Sequence, residues 1–236
     1  MQGRESAKAF WDRVTRTAEH LWAQRKAGAF ESTAFMRPVL SRLGRVLRPE
    51  GFRRQGSTFR RHPEAGLLHT ISVQTGLSYP SRPSLTYGHF AVDVLVDLDD
   101  ILLLDSFPQD NQPRRDIGPG HATVATRRLG AGWHDMWWPM VGDPETGSDS
   151  ALEELLNDGL PFLARLASRS SIEHELSASP PTTFARPVPE LLAALHLGRH
   201  EYQAAHDLLA EYLEREEMHP SRREWLSRFV HRLAEL

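Results

Sequence analysis

The chain has 236 residues, 40% of them hydrophobic and 25% charged, which is ordinary for a globular protein with a sizeable core. Its 28 basic and 31 acidic residues leave a net charge of −3, too near neutrality to announce a nucleic acid, a membrane surface or an acidic partner. Cysteine is missing, which excludes disulfides, thiol nucleophiles and cysteine-ligated metal sites.

In chain order, residues 4 to about 27 read as a helix, with Phe10, Val14, Leu21 and Trp22 at roughly helical spacing. A second helix begins between Ser32 and Arg37. Its apolar positions Met36, Val39, Leu40, Leu43, Val46 and Leu47 follow the i, i+3, i+4, i+7 rule, Pro38 is expected near its first turn, and RPEGF ends it.

The period then falls from 3.6 to 2. GSTFRRH, LLHTISVQT and YGHFAVDVLVDLDD read as strands joined by turn-rich segments, which favours an antiparallel meander. In LLHTISVQT, His69, Ile71 and Val73 share one face, and Thr70, Ser72 and Gln74 the other. The third strand alternates Val92, Val94, Val96 and Leu98 with Asp93, Leu95, Asp97 and Asp99, predicting one apolar and one largely acidic face. ILLLDSF is a candidate fourth strand.

Helical character returns near Ser150, where Ser150 and Glu153 fit a capping box, and Gly159 with Pro161 is expected to split the helix before FLARLA. SASPPTTFARPVP is proline-rich and marks a boundary. Three short helices follow: PELLAALHL up to Gly198, a segment carrying Tyr202 to Leu213, and one opening on a second capping box, Ser221 to Glu224. The first two look like a single tetratricopeptide-type hairpin with a small-residue seam at Ala204 and Ala205, too few repeats for a solenoid. The predicted fold is α+β: a short antiparallel sheet of three to five strands flanked by helices, over residues 1–170. A linker over 171–189 and a helical extension over 190–236, packing on the main domain, complete it.

The order of a helix, LRPEGF, RRQGSTFRR, an HTISVQT strand, an HFAVDVLV strand, then GHATVATRRLG and WW resembles the bacterial domain-of-unknown-function family 4304 (DUF4304) over roughly residues 32–165. Its most specific parts correspond here to LRPEGFRRQGSTFRR, His121, Arg128-Leu129-Gly130 and Trp137-Trp138. Asp93 stands where the family pattern has asparagine, and the segment between Gly130 and Trp137 is short. The resemblance implies a fold and a candidate surface, and it brings no catalytic residues.

Candidate sites are few. Lys8 and Lys26 are the only lysines and neither follows a glycine, so no phosphate loop of the form GxxxxGK[ST] exists. GSTF is not the GxSxG of a serine nucleophile, and His196 with His200 lacks the HExxH pattern. The acids Asp93, Asp97, Asp99, Asp100 and Asp105 lie too far apart along an extended strand to converge on one ion, so no metal and no cofactor is expected. Arg60, Gln74 and Asp93 are candidates for a polar sheet face that binds a ligand. Residues 120–140 concentrate Trp133, Trp137 and Trp138 beside Arg127 and Arg128; tryptophan and arginine dominate interface energetics, although one of the adjacent rings is expected in the core.

These observations favour a non-enzymatic binding protein, of adaptor or immunity type, that recognises a protein partner. The alternative is an enzyme of unassigned class acting on a polar small molecule or nucleotide, with His121 as acid or base beside Arg60, Gln74 or Asp93. Nucleic acid is the third-ranked partner. The N-terminal segment lacks a signal-peptide apolar run and no later stretch could span a bilayer, so a cytoplasmic location is expected.

Overall fold

The computed structural model describes residues 7–26, 31–76, 88–105, 122–129, 138–144, 148–178, 184–215 and 218–235. The chain forms two compact units: Met1–Arg61, Thr70–Val94 and Arg127–Phe162 in the first, and His62–His69, Leu95–Thr126 and Leu163–Leu236 in the second. An antiparallel sheet has the order β1 (Arg53–Gln55), β2 (Thr58–Glu64), β3 (Leu67–Thr75), β4 (His89–Leu98) and β5 (Thr123–Arg128), with β6 (Trp138–Pro139) also paired to β4. The fold is α+β, as its change of period predicts.

In the first unit, α1 (Ala7–Lys26) buries Val14, Ala18 and Leu21, one stripe at i, i+4 and i+7. Gly88 opens β4 against that stripe with φ +72°, and a Cβ there would stand 2.2 Å from Leu21 Cδ1. Helix α2 (Ser32–Leu47) buries Phe35, Met36, Val39, Leu40, Leu43 and Leu47. Pro38 lies inside α2, not in its first turn, so the helix tolerates one missing backbone donor.

The end of α2 explains the RPEGF signal. Gly51, at φ +84°, donates to Arg48 O at 3.1 Å, and Phe52 N donates to Leu47 O at 3.2 Å. Those two bonds with a left-handed glycine are a Schellman cap, and Leu47 and Phe52, its hydrophobic pair, are both buried. The chain leaves the cap directly as β1, a strand that the alternation of apolar residues does not reveal, because all three of its residues are exposed. Gly56, at φ +63°, takes the first central position of the two-residue turn into β2, as a type II′ hairpin requires.

β3 buries His69, Ile71 and Val73 as its alternation predicts, and Thr70 of the polar face is buried as well. β4 departs from it. Most of its residues are buried, and Asp93, expected on an open acidic face, is only 6% exposed. ILLLDSF is not a strand: Asp100–Asp105 forms α3, with Ile101 and Leu104 buried at i, i+3 while Leu103 is exposed. A four-residue apolar run carries no period of its own, so its neighbours decide.

Residues 149–165 form one helical run, α4 (Asp149–Glu154), a π turn (Leu155–Gly159) and α5 (Leu160–Arg165). The expected split at Gly159 and Pro161 is instead absorbed by the π turn, in which Leu160 N donates to Leu155 O. Neither capping box forms. Ser150 and Ser221 lie inside their helices, whose N-caps are Ser148 and His219, without side-chain cap bonds.

In the second unit α6 spans Arg169–Ala178, so the stretch read as a linker from residue 171 starts inside a helix. Helices α7 (Val188–Gly198), α8 (Tyr202–Arg215) and α9 (Pro220–Leu233) end where glycine, proline and charge predict. α7 packs on α3, α6 and α8, and α8 packs on α9. Ala205 is buried in the α8 seam and Ala204 is exposed.

Arg169 ties the second unit's polar groups together. Its Nε and Nη2 donate to the two Asp100 oxygens at 2.7 and 2.8 Å, and its Nη1 donates to Glu64 Oε1 at 2.6 Å and to Ala65 O at 2.7 Å. Glu64 is held below the usual carboxylate range, first by the side-chain hydrogen bond from Arg169. The Arg169 guanidinium is correspondingly raised, with the Asp100 hydrogen bond as the largest cause.

Candidate binding site

Part of the predicted polar sheet face is tied together by one arginine. Arg128 at the end of β5 grips Asp93 with two bonds, Nε to Oδ1 at 2.7 Å and Nη2 to Oδ2 at 3.2 Å. Its Nη2 also reaches Gln74 Oε1 at 3.4 Å. Three residues singled out separately by sequence therefore satisfy one another. The bidentate fork suits a half-buried arginine against a buried carboxylate.

The other sequence candidates divide. Arg127 pairs with Asp158 at 2.7 Å and stacks over Phe162 at 5.7 Å, so it closes the surface beside the π turn. Arg60 bonds Gln55 Oε1 at 3.1 Å, across the hairpin. Trp138 points into the core: 4% exposed, it stacks on Phe90 with centroids 5.6 Å apart. Trp133, Trp137 and His121 lie outside the described residues.

A different feature of the first unit is open. Gly44, Arg48, Gly51, Phe52, Arg53, Arg54 and Phe59 line a cleft of about 560 Å³, within the range of ligand sites. Each lining element follows from local sequence. α2 brings Gly44 and Arg48, the Schellman cap turns Gly51 and Phe52 inward, and the hairpin sets Arg54 directly across from Phe59. Phe52 and Phe59 are 4% and 1% exposed, so they form a rigid apolar floor. Arg48, Arg53 and Arg54 are exposed along the rim.

The rim is electrostatically unfinished. Arg54 Nε donates to Gly56 O at 2.8 Å, a neutral carbonyl. Among the described residues, Arg48 and Arg53 have no ion-pair partner, and no carboxylate lines the cleft. Neighbouring Arg61 is by contrast fully engaged, over the Phe52 ring at 4.7 Å and on Glu50 O at 3.0 Å. Burial lowers the Arg61 guanidinium from its ordinary value, and the Glu50 charge opposes that shift. A second depression of about 260 Å³, lined by Ser32, Thr33, Met36, Arg37, Leu40, Arg54 and Thr75, shares Arg54 with the first.

Sequence reasoning that weighs only the whole-chain charge misses this site. Residues 37–61 hold eight arginines against Glu50 alone, a local charge of +7, which leaves −10 for the rest of a chain whose total is −3. A charge count by segment is the signal that finds it.

The second unit has a smaller cleft of about 420 Å³, lined by Ala185, Arg186, Pro187, Arg222 and Trp225. There Arg222 is committed to Glu190, a carboxylate with no exposure at all, so its charge is already answered. Among the described residues no group of three or more histidine, aspartate or glutamate side chains is placed to hold a metal ion. No described helix is long and apolar enough to cross a membrane. Comparison with protein families, with curated proteins and with solved structures finds no match.

Proposed function

We propose that the protein is a non-enzymatic binding protein, and that it recognises an acidic part of a protein partner through the arginine-bordered cleft beside β1. One observation carries the reading: Arg48, Arg53 and Arg54 border an apolar floor with no carboxylate among the lining residues. A carboxylate in the cleft gains from Arg48 and Arg54, and Arg53 adds positive charge from the other face of β1. The lining supplies hydrogen-bond donors and apolar area but no general acid or base, which suits recognition more than turnover. Asp93, one of the three residues the enzyme reading sets beside His121, is held by Arg128.

A protein suits the patch better than a nucleic acid. The +7 segment is short and sits in a chain otherwise carrying −10, so a long polyphosphate would soon meet repulsion. A cytoplasmic setting and the likeness to family 4304 over residues 32–165 belong to the same proposal.

The test is a photo-cross-linking amino acid installed at exposed Gln55, with a control at exposed Glu214. Adducts from position 55 to an Asp- and Glu-rich peptide of one protein, missing from position 214, are the expected result. Adducts to nucleic acid, or equal labelling from both positions, would overturn the reading.

A further inference from the structure

Resting on that reading, we propose that the occupant is an extended acidic segment of the partner. It adds as a strand to the outer edge of β1 and sets one apolar side chain on Phe52 and Phe59. β1 is the first strand in the sheet order, with β2 on one side. Gln55 and Thr58 flank the two-residue turn, so they form a hydrogen-bonded pair, and the next pair, Arg54 with Phe59, is a non-bonded one. The Arg54 N–H and C=O therefore point away from β2, to an edge on which no described strand pairs. An extended peptide is the partner that answers a donor and acceptor spaced in this way.

The side chains define its sequence. Arg54 shares the face of Phe59, the cleft face, while Arg53 shares the opposite face with Arg60. A segment paired to Arg54 puts alternate residues on those two faces. Its central residue, opposite Arg54, enters the cleft and is apolar. The residues on either side reach the face of Arg53 and are acidic. The next ones out return to the cleft face, within range of Arg48 and Arg54, and are acidic again. The three-residue length of β1 limits the ladder to about one bonded pair, so charge supplies much of the affinity.

The probe is acetyl-Glu-Glu-Phe-Glu-Glu-amide, titrated by calorimetry against wild type, Arg54→Ala, Arg54→Pro and the double variant Arg48→Glu/Arg53→Glu. Proline at an edge position whose N–H points outward leaves the hairpin ladder intact, and circular dichroism checks that. Binding about tenfold weaker to Arg54→Pro than to Arg54→Ala is expected, with a similar loss when the peptide phenylalanine is N-methylated, since each removes one backbone hydrogen bond. The double variant loses binding altogether. If charge reversal abolishes binding while proline and N-methylation change nothing, strand addition is wrong and the cleft reading stands. If the peptide does not bind wild type at about 1 mM, the strand proposal also fails, and the cross-linking result alone decides the broader reading. Tighter binding of an oligothymidylate of equal charge would overturn both.

Discussion

Arg54 and Phe59 are cross-strand partners in the first hairpin, so an exposed arginine and a buried ring emerge on the same face of the sheet. The ring touches α2, where a Cβ on Gly44 would lie 3.5 Å from Phe59 Cε1. Among the described residues the guanidinium bonds a turn carbonyl. Floor and rim of the proposed site are thus fixed by a single register.

Phe59→Ala is expected to cost about 3–5 kcal/mol in urea denaturation, the range for emptying a buried aromatic position. Arg53→Ala, on the exposed rim, should stay within about 0.5 kcal/mol of wild type. Equal costs would mean that the rim arginines are structural.

Asp93→Ala leaves Arg128 half-buried without its carboxylate. A loss of about 1–3 kcal/mol is expected, the cost of an unsatisfied partner group. Gln74→Ala, which removes only the 3.4 Å contact at an exposed residue, should cost less than about 0.5 kcal/mol. A large loss from Gln74→Ala would contradict the closed-triad description.

The Glu64 carboxyl is depressed by Arg169, so its contribution is complete above the unfolded glutamate value of about 4.3 and fades as pH falls through the lower folded value. Thermal melts of wild type and Glu64→Gln should therefore differ most near neutrality and converge in acid. A gap that widens as pH falls would reverse the sign of this linkage.

Gly88→Ala combines a left-handed φ with a 2.2 Å approach to Leu21. A drop in stability of more than about 1 kcal/mol is expected, from backbone strain and overpacking together. An unchanged melting temperature would mean that α1 does not press on the start of β4.

Much of this architecture is legible in the residues because local rules decide it. RPEGF fixes the α2 terminus through one left-handed glycine, and β3 shows its faces by alternation. What escapes reading depends on partners far along the chain. ILLL becomes a helix because its period is set by the surroundings, and Asp93 is drawn from the acidic face of β4 because β5 brings Arg128 to it, while Asp97 and Asp99 keep the predicted alternation. β1 has no apolar residue to betray it. The rim arginines are visible as a local excess of charge, yet their convergence on Phe52 and Phe59 needs the cap and the hairpin together. One of the adjacent tryptophan rings is expected in the core, and Trp138 is there because the strand it joins, paired to β4, decides its burial.

The most direct test of the central claim is a nuclear magnetic resonance titration of the isotope-labelled protein with acetyl-Glu-Glu-Phe-Glu-Glu-amide, following backbone amides. The account predicts shifts concentrated at Arg48, Gly51, Phe52, Arg53 and Arg54, and their loss in Arg48→Glu/Arg53→Glu. Shifts centred on Arg222 and Trp225, or none at saturating peptide, would contradict it.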